Sequence, residues 1–453
     1  MTEWKPPDHR GIPPSIPFAT AAPPGPAATP GGAQPYPCDV LFAGPGIWSH
    51  GGTESWHLSL IPRLAARGIV AGGYAVAYAD AGPMLDRFPA AGVPVHVGIE
   101  ASRRAASLAR LVVAWGDIAA TGMLPPGKPV LAVAHGDASN DWTRQSMRQF
   151  RPITARYAAV SRSSIEAVPE DCRADASAIP NGVDPGRIAP GDGTRDRDRA
   201  RYGFDGPTLL LLSRLSAEKS PWAAVQAMAH LPGWTLAVAG DGAERGRLES
   251  LAGELGVSGR VRFLRAAGHV GDLLRAADCL IAPSESEGFG LSVAEAIWSG
   301  LPAVACPVGC LWGTGRGTQV PIGSRPEAWA DAVLRAVADR AKAEDDRGWA
   351  RREFDPEVWA DRWADLIRKH LPPPPPPGVG TALSKALSFV GIAGDGGCSC
   401  RSDAAEMDRV GAKAVLADIE SWTDRLASKP QASGIPRAVI RTAIRAACWY
   451  AGA

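Results

Sequence analysis

Between Cys38 and Leu371 short apolar runs alternate with amphipathic stretches of helical length, the pattern of parallel sheets covered on both faces. A first set begins at Asp39–Ala43, turns through glycines, and continues with Ala71–Tyr78, Val93–Val97, Val130–Ala134 and Tyr157–Val160. A second begins at Thr208–Leu212 and continues with Thr235–Ala239, Val261–Leu264, Cys279–Ala282 and Ala303–Cys306. Two doubly wound α/β domains are expected, residues 38–185 and 186–371, with the boundary in the polar, turn-rich stretch from Pro185 to Arg201. In open sheets of this kind ligands bind beyond the carboxyl ends of the strands, so the polar residues just after each run are the candidates for chemistry.

The flanks read differently. Residues 1–37 are loaded with proline, glycine and alanine (PPGPAATPGGAQPYP) and predict a flexible leader. Pro372 to Pro377 are six consecutive prolines, a semi-rigid spacer that sets residues 378–453 apart as a small, mainly helical module. The 48 basic and 47 acidic side chains nearly cancel, which gives no reason to expect nucleic acid as a partner. The eight cysteines lack the dense spacing of a secreted disulfide scaffold, and no run suits a signal peptide or a membrane span. A cytoplasmic protein with reduced thiols is expected, with a peripheral membrane contact as an option.

After Thr208–Leu212 comes SRLSAEKS, which puts Arg214 and Lys219 on one loop at the carboxyl edge, a pairing suited to a diphosphate. Taken alone, an arginine and a lysine in a loop are more often just solvated. After Cys279–Ala282 comes PSESEGFGLSVAEAIWSG. There Glu287 sits in the loop, Gly288 and Gly290 let the backbone approach a ligand, and a helix starts near Leu291 with its free N–H groups and positive dipole end exposed. Glu295 lies about a turn into that helix among Val293, Ala294, Ala296 and Ile297, so a buried carboxylate wanting a partner is expected there.

The stretch EGFGLSVAE resembles the Glu-x7-Glu motif of the retaining GT-B glycosyltransferases of family four, the glycogen-synthase-like group. CDVLFAGPG, IPNGVD, SRLSAEKS, AGDGAER and GLPAVA are similar to further landmarks of that family, in the same order, over residues 38–371. The resemblance implies a nucleotide-diphosphate sugar as donor. Arg214 and Lys219 would hold the diphosphate, Glu295 the ribose, and Glu287 with the backbone of Phe289 and Gly290 the sugar hydroxyls. Gly51 and Gly52 would face the diphosphate and acceptor, although glycines serve equally in an ordinary strand-to-helix turn. His135, at the end of Val130–Ala134, matches the family histidine that approaches the sugar. The implied mechanism retains the anomeric configuration, needs no protein nucleophile and has the leaving phosphate take the acceptor's proton. Two departures stand out: VGCLWGTGRG brings Cys310 and Trp312 where many relatives have a Gly-Gly loop, and the first domain is short, with acceptor-facing loops, including ASRRAASLARLVVAW and ASNDWTRQ, that match no family feature. FDPEVWADRWADLIRKHL is similar to the family's last helix, which crosses back to the first domain.

No metal or other cofactor is expected. The Asp196–Asp198 pair lies among arginines in the linker and reads as solvated. In the C-terminal module Cys398 and Cys400 have only Cys448 as a further thiol and no histidine, so zinc within one chain would need an acidic ligand too. A helix is expected from Pro436, with Arg437, Arg441 and Arg445 as a basic stripe, either a solvated face or a dock for an anionic membrane or polymer. The acceptor, whether glycan, lipid or protein, is not readable. Two alternatives share the fold: a nucleotide-sugar-binding protein without catalysis, and a GT-B nucleotide-sugar epimerase.

Overall fold

The computed structural model describes residues 38–46, 52–77, 86–153, 155–264, 269–373, 383, 400–428 and 437–450. The leader, Gly51 and Cys398 lie outside these, as do most of the polyproline run and Pro436. The chain divides into two compact units, residues 1–372 and 373–453.

The first unit holds two sheets whose pairings are all parallel. The first sheet contains β1 (Cys38–Gly44), β2 (Ala71–Val76), β3 (Val95–Val97), β4 (Ala109–Ala114), β5 (Val130–Ala134), β6 (Ala155–Ala159) and β7 (Ser177–Ala178), in the order β3-β2-β1-β4-β5-β6-β7. The second contains β8 (Thr208–Leu212), β9 (Thr235–Ala239), β10 (Val261–Leu264), β11 (Cys279–Ala282), β12 (Ala303–Ala305) and β13 (Thr318–Gln319), in the order β10-β9-β8-β11-β12-β13. The order reverses between β1 and β4 and between β8 and β11. The carboxyl ends of these central strands are therefore where a crevice opens.

Two features differ from the sequence reading. ARLVVA is the central strand β4 and pairs with β1 in register from Cys38↔Ala109 to Ala43↔Ala114, where a loop was expected. The Ile99–Leu108 helix runs straight into it without a turn residue. The carbonyls at that junction are satisfied by Lys128, whose Nζ donates to Ser107 O at 3.1 Å and Ala109 O at 2.6 Å. The Asp196–Asp198 stretch is the helix Arg195–Tyr202, capped by Thr194 and ended by Gly203 in the left-handed region. Asp198 is buried and accepts from Arg275 Nε at 2.6 Å, so it is a packed ion pair and not a solvated acid.

The helix Pro356–His370 opens on an Asp355 cap and a first-turn proline, then lays its apolar side against the first-sheet helix Gly52–Ala65. Trp363 and Trp359 are fully buried, with ring centroids 5.0 and 6.3 Å from that of Trp56. Arg63 pairs with Glu357 at 3.0 Å and Arg67 with Asp361 at 2.6 Å at the rim. The last helix of the unit thus ties the second sheet's end back to the first sheet.

The second unit contains helices Cys400–Val410, Ala412–Ala417, Ile419–Ala427 and Arg437–Tyr450 around a core that includes Met407, Val415, Trp422, Ile440 and Ile444. Arg437 pairs with Asp424, and Arg441 with Glu420 at 2.6 Å, so two members of the basic stripe are already engaged by acids of a neighbouring helix. Among the described residues no helix is long and apolar enough to cross a membrane, and no group of three or more His, Cys, Asp or Glu side chains could hold a metal.

Candidate active site

The β8 loop starts at Ser213 and is held down by the loop after β9. Leu215 N donates to Asp241 O at 2.9 Å and Glu244 N to Leu215 O at 3.0 Å. The glycines of AGDG make this approach possible: a Cβ on Gly240 would sit 1.8 Å from Ser213 O and one on Gly242 2.4 Å from Leu215 O. Arg214 leaves this loop with 58% of its side chain exposed and pairs with Glu218 at 3.2 Å. Lys219 ends a 3-10 turn and is followed by Ser220 at φ 43, the single left-handed non-glycine among the described residues. That backbone is held by Ser220 Oγ donating to Glu285 Oε1 at 2.6 Å. Lys219 Nζ then lies 2.8 Å from Glu287 Oε1 and 3.2 Å from Ser286 O.

Glu287 belongs to the loop that carries β11 into the helix Leu291–Ser299. Gly290, at φ 84, begins that helix, and among the described residues no side chain caps it, which leaves the first turn with N–H groups available to an anion. Phe289 turns its ring into the core, 5.2 Å from Phe354, and its carbonyl accepts from Cys310 N at 2.6 Å. The Cys310 loop, unlike the family pattern in sequence, therefore supports the glycine-rich turn from behind.

Glu295 is buried, with Oε1 taking Arg187 Nε at 2.6 Å. Burial raises its carboxyl above the ordinary range, and the Arg187 charge opposes that rise. Among the described residues its Oε2 has no partner. Neither has Asn181 Oδ1, and both residues line a small pocket with Gly52, Ser55, Arg187 and Leu291. Gly52 stands where a Cβ would come within 3.3 Å of the Leu291 side chain, so the first-sheet helix start and the second-sheet helix start face each other.

His135 follows β5. Its ring packs against Trp56 and Trp115 at 5.0 and 5.7 Å, its buried Nε2 has no partner among the described residues, and burial holds it well below the ordinary imidazole range. Its backbone carbonyl touches Gly288, where a Cβ would fall 1.8 Å away. His135 is thus placed at the seam between the sheets, beside the loop that carries Glu287.

Asp137, Asn181, Arg187, Ser161 and Ser164 belong to this region and were given no role from sequence. Asn181 and Arg187 stand inside IPNGVDPGR, and Asp137 lies two residues beyond His135 on the same strand end, which were the signals available.

Residues 194–352 match the sequence profile described as glycosyl transferases group 1. D-inositol 3-phosphate glycosyltransferase of Nocardia farcinica is 33% identical over 230 residues, which is 46% of this chain and 51% of that protein. The chain thus spans about half the length of this curated relative. Anabaena HepE, solved in complex with UDP and glucose, is 20% identical with a TM-score of 0.64, covering 73% of this chain and all of that one. The sucrose-phosphate synthase of Thermosynechococcus elongatus is 20% identical with a TM-score of 0.59, covering 73% of this chain and 98% of that one. The fold is GT-B. In GT-B terms, β1–β7 and β8–β13 are the two facing sheets, and Lys219, Glu287, Glu295 and His135 stand along the crevice between them.

Proposed function

We propose that this chain is a retaining glycosyltransferase that takes a sugar from a nucleoside diphosphate sugar. The observation that carries the reading is the meeting of Lys219 and Glu287 beside the uncapped start of a buried helix. The likeness to HepE, itself solved with UDP and glucose, supports the donor class.

Departure of the nucleoside diphosphate builds negative charge on the leaving phosphate. Lys219, Arg214 and the N–H groups at Leu291 meet that charge without a metal. Arg214 is exposed and, among the described residues, is held by Glu218, so it is free to turn onto the diphosphate. Glu295 Oε2 and Asn181 Oδ1 are acceptors in want of donors, and a ribose diol offers two O–H groups. Glu287, with the backbone at Phe289 and Gly290, serves the hydroxyls of the sugar. The neutral His135 ring approaches the sugar from the first sheet, and the acceptor attacks from the face the phosphate leaves, giving its proton to that phosphate. Inositol phosphate is the first acceptor to try, after the name of the Nocardia relative.

A thermal-shift screen over UDP, GDP and ADP and their sugars, with and without EDTA, tests the donor. The reading requires that one nucleoside diphosphate raise the melting temperature, with or without EDTA. If none does, it fails. NMR of the product then tests retention: an inverted anomer removes that part, and an epimerised free donor replaces transfer by epimerisation.

A further inference from the structure

The Ser286–Glu287 peptide is held from both sides. Its carbonyl, Ser286 O, accepts from Lys219 Nζ at 3.2 Å, while its N–H, Glu287 N, donates to Asp137 Oδ2 at 3.0 Å. The C=O and N–H of one peptide point in opposite directions, so a cation at one end and a carboxylate at the other fix the plane between them. Ser286 Oγ adds a bond to Asp137 Oδ1 at 2.8 Å, and Ser164 and Ser161 donate their hydroxyls to Gly288 O, two residues further along the loop. The peptide belongs to the second sheet's loop, whereas Asp137, Ser161 and Ser164 follow β5 and β6 of the first.

Asp137 is buried, and both its oxygens face backbone donors. Oδ1 takes Ser139 N at 3.0 Å and Ser139 Oγ at 2.6 Å, and Oδ2 takes Glu287 N. A hydroxyl can reverse its role, but a backbone N–H cannot. An asparagine in either orientation would turn its NH2 against one of the two, so only a carboxylate satisfies the site.

We infer that Asp137 is a positioning residue for Lys219, acting from the opposite side of the crevice through the Ser286–Glu287 peptide. With Asp137 in place, the carbonyl that holds Lys219 Nζ points inward. Without it, the peptide is free to flip and Lys219 loses one of its two anchors. The inference rests on Lys219 serving as a diphosphate ligand, as proposed above.

Two measurements on the full chain test it. Amide exchange of the ligand-free protein should show the Glu287 N–H exchanging about tenfold faster or more in Asp137→Asn, with β8 and β11 amides unchanged. Unaltered protection at Glu287 overturns the inference. With UDP as probe, Asp137→Asn should weaken binding about tenfold and do nothing further once Lys219→Ala is present. Effects that simply multiply mean that Asp137 does not act through Lys219, and overturn it as well. If Asp137→Asn fails to fold, Ser286→Ala removes a single bond to Asp137 and is expected to shift both measurements in the same direction by a smaller factor; no shift in either counts against the inference. A wild-type chain that ignores UDP would count against that donor alone, since the exchange experiment judges the peptide without a ligand.

Discussion

Arg187 and Glu295 form a buried pair, Nε to Oε1 at 2.6 Å, that joins the connection between the sheets to the helix behind the proposed donor site. Glu295 has 2% of its side chain exposed and Arg187 35%, so little water reaches the carboxylate if its partner is removed. Breaking a buried pair from one side leaves an uncompensated charge and costs about 3 kcal/mol or more, reduced here by the partial exposure of Arg187. Arg187→Met should therefore lower stability by about 2 kcal/mol in urea unfolding, while Glu295→Gln, which keeps a neutral acceptor, should cost less. Equal costs would mean that the pair is not what holds Glu295.

Lys219 meets Glu287 at the start of the helix, with both side chains largely shielded. Lys219→Ala removes the cation nearest the proposed diphosphate without opening the core. Turnover on the accepted nucleotide sugar should fall about 100-fold or more, by comparison with the loss of one preorganised donor at a site of developing charge, while the melting temperature moves by only a few degrees. Undiminished kcat/KM would remove Lys219 from the site.

Much of this was legible along the chain for physical reasons. β8, β9 and β11 occupy the residues expected of them because strands buried on both faces are nearly unbroken apolar runs, TLLLL, TLAVA and CLIA, and the edge strand β10, VRFL, keeps the apolar pattern around a single exposed Arg262. Lys219 and Glu287 stood out because each follows such a run at a carboxyl end. β4 was missed because a helix feeds it with no glycine, proline or asparagine between them. Asp137, Asn181 and Arg187 were missed because their roles depend on partners far along the chain, and neither periodicity nor spacing records a contact across a crevice. Asp198 went astray in the opposite way: its neighbours are charged, yet its face of the helix is turned toward Arg275.

Gly288 brings the loop after β11 against the backbone at the end of β5. A Cβ there would lie 1.8 Å from His135 O and 2.6 Å from its carbonyl carbon, both backbone atoms that cannot turn aside. Gly288→Ala must push the Glu287 loop from the His135 strand end, at a cost of about 1–3 kcal/mol and with loss of nucleotide binding. Gly246 is the control, since a Cβ there meets nothing within 4 Å and lies in the helix Arg245–Glu254. Gly246→Ala should be neutral or stabilising by about 0.5 kcal/mol. Calorimetry on the two variants compares them, and equal stability would mean that the seam yields freely.

Acid should loosen this same seam. His57 is buried in a ring cluster with Tyr74 at 4.7 Å and His135 at 5.9 Å, and burial lowers its pKa from 6.5 to about 3. His135 is lowered well below the ordinary value by burial and by His57. In the unfolded chain both bind protons near pH 6.5 and in the folded chain neither does, so stability is complete above that pH and is lost as the pH falls toward the folded values. Each histidine kept neutral costs about 1.4 kcal/mol per pH unit in that window. From pH 7.5 to 5.5 the two together should remove about 3 kcal/mol, and His57→Phe should abolish about half of that dependence while keeping an aromatic ring among Phe42, Trp56 and Tyr74. Urea unfolding at the two pH values measures it. A wild-type chain equally stable at both would show that these rings take up protons in place, and the seam would then have to contain water.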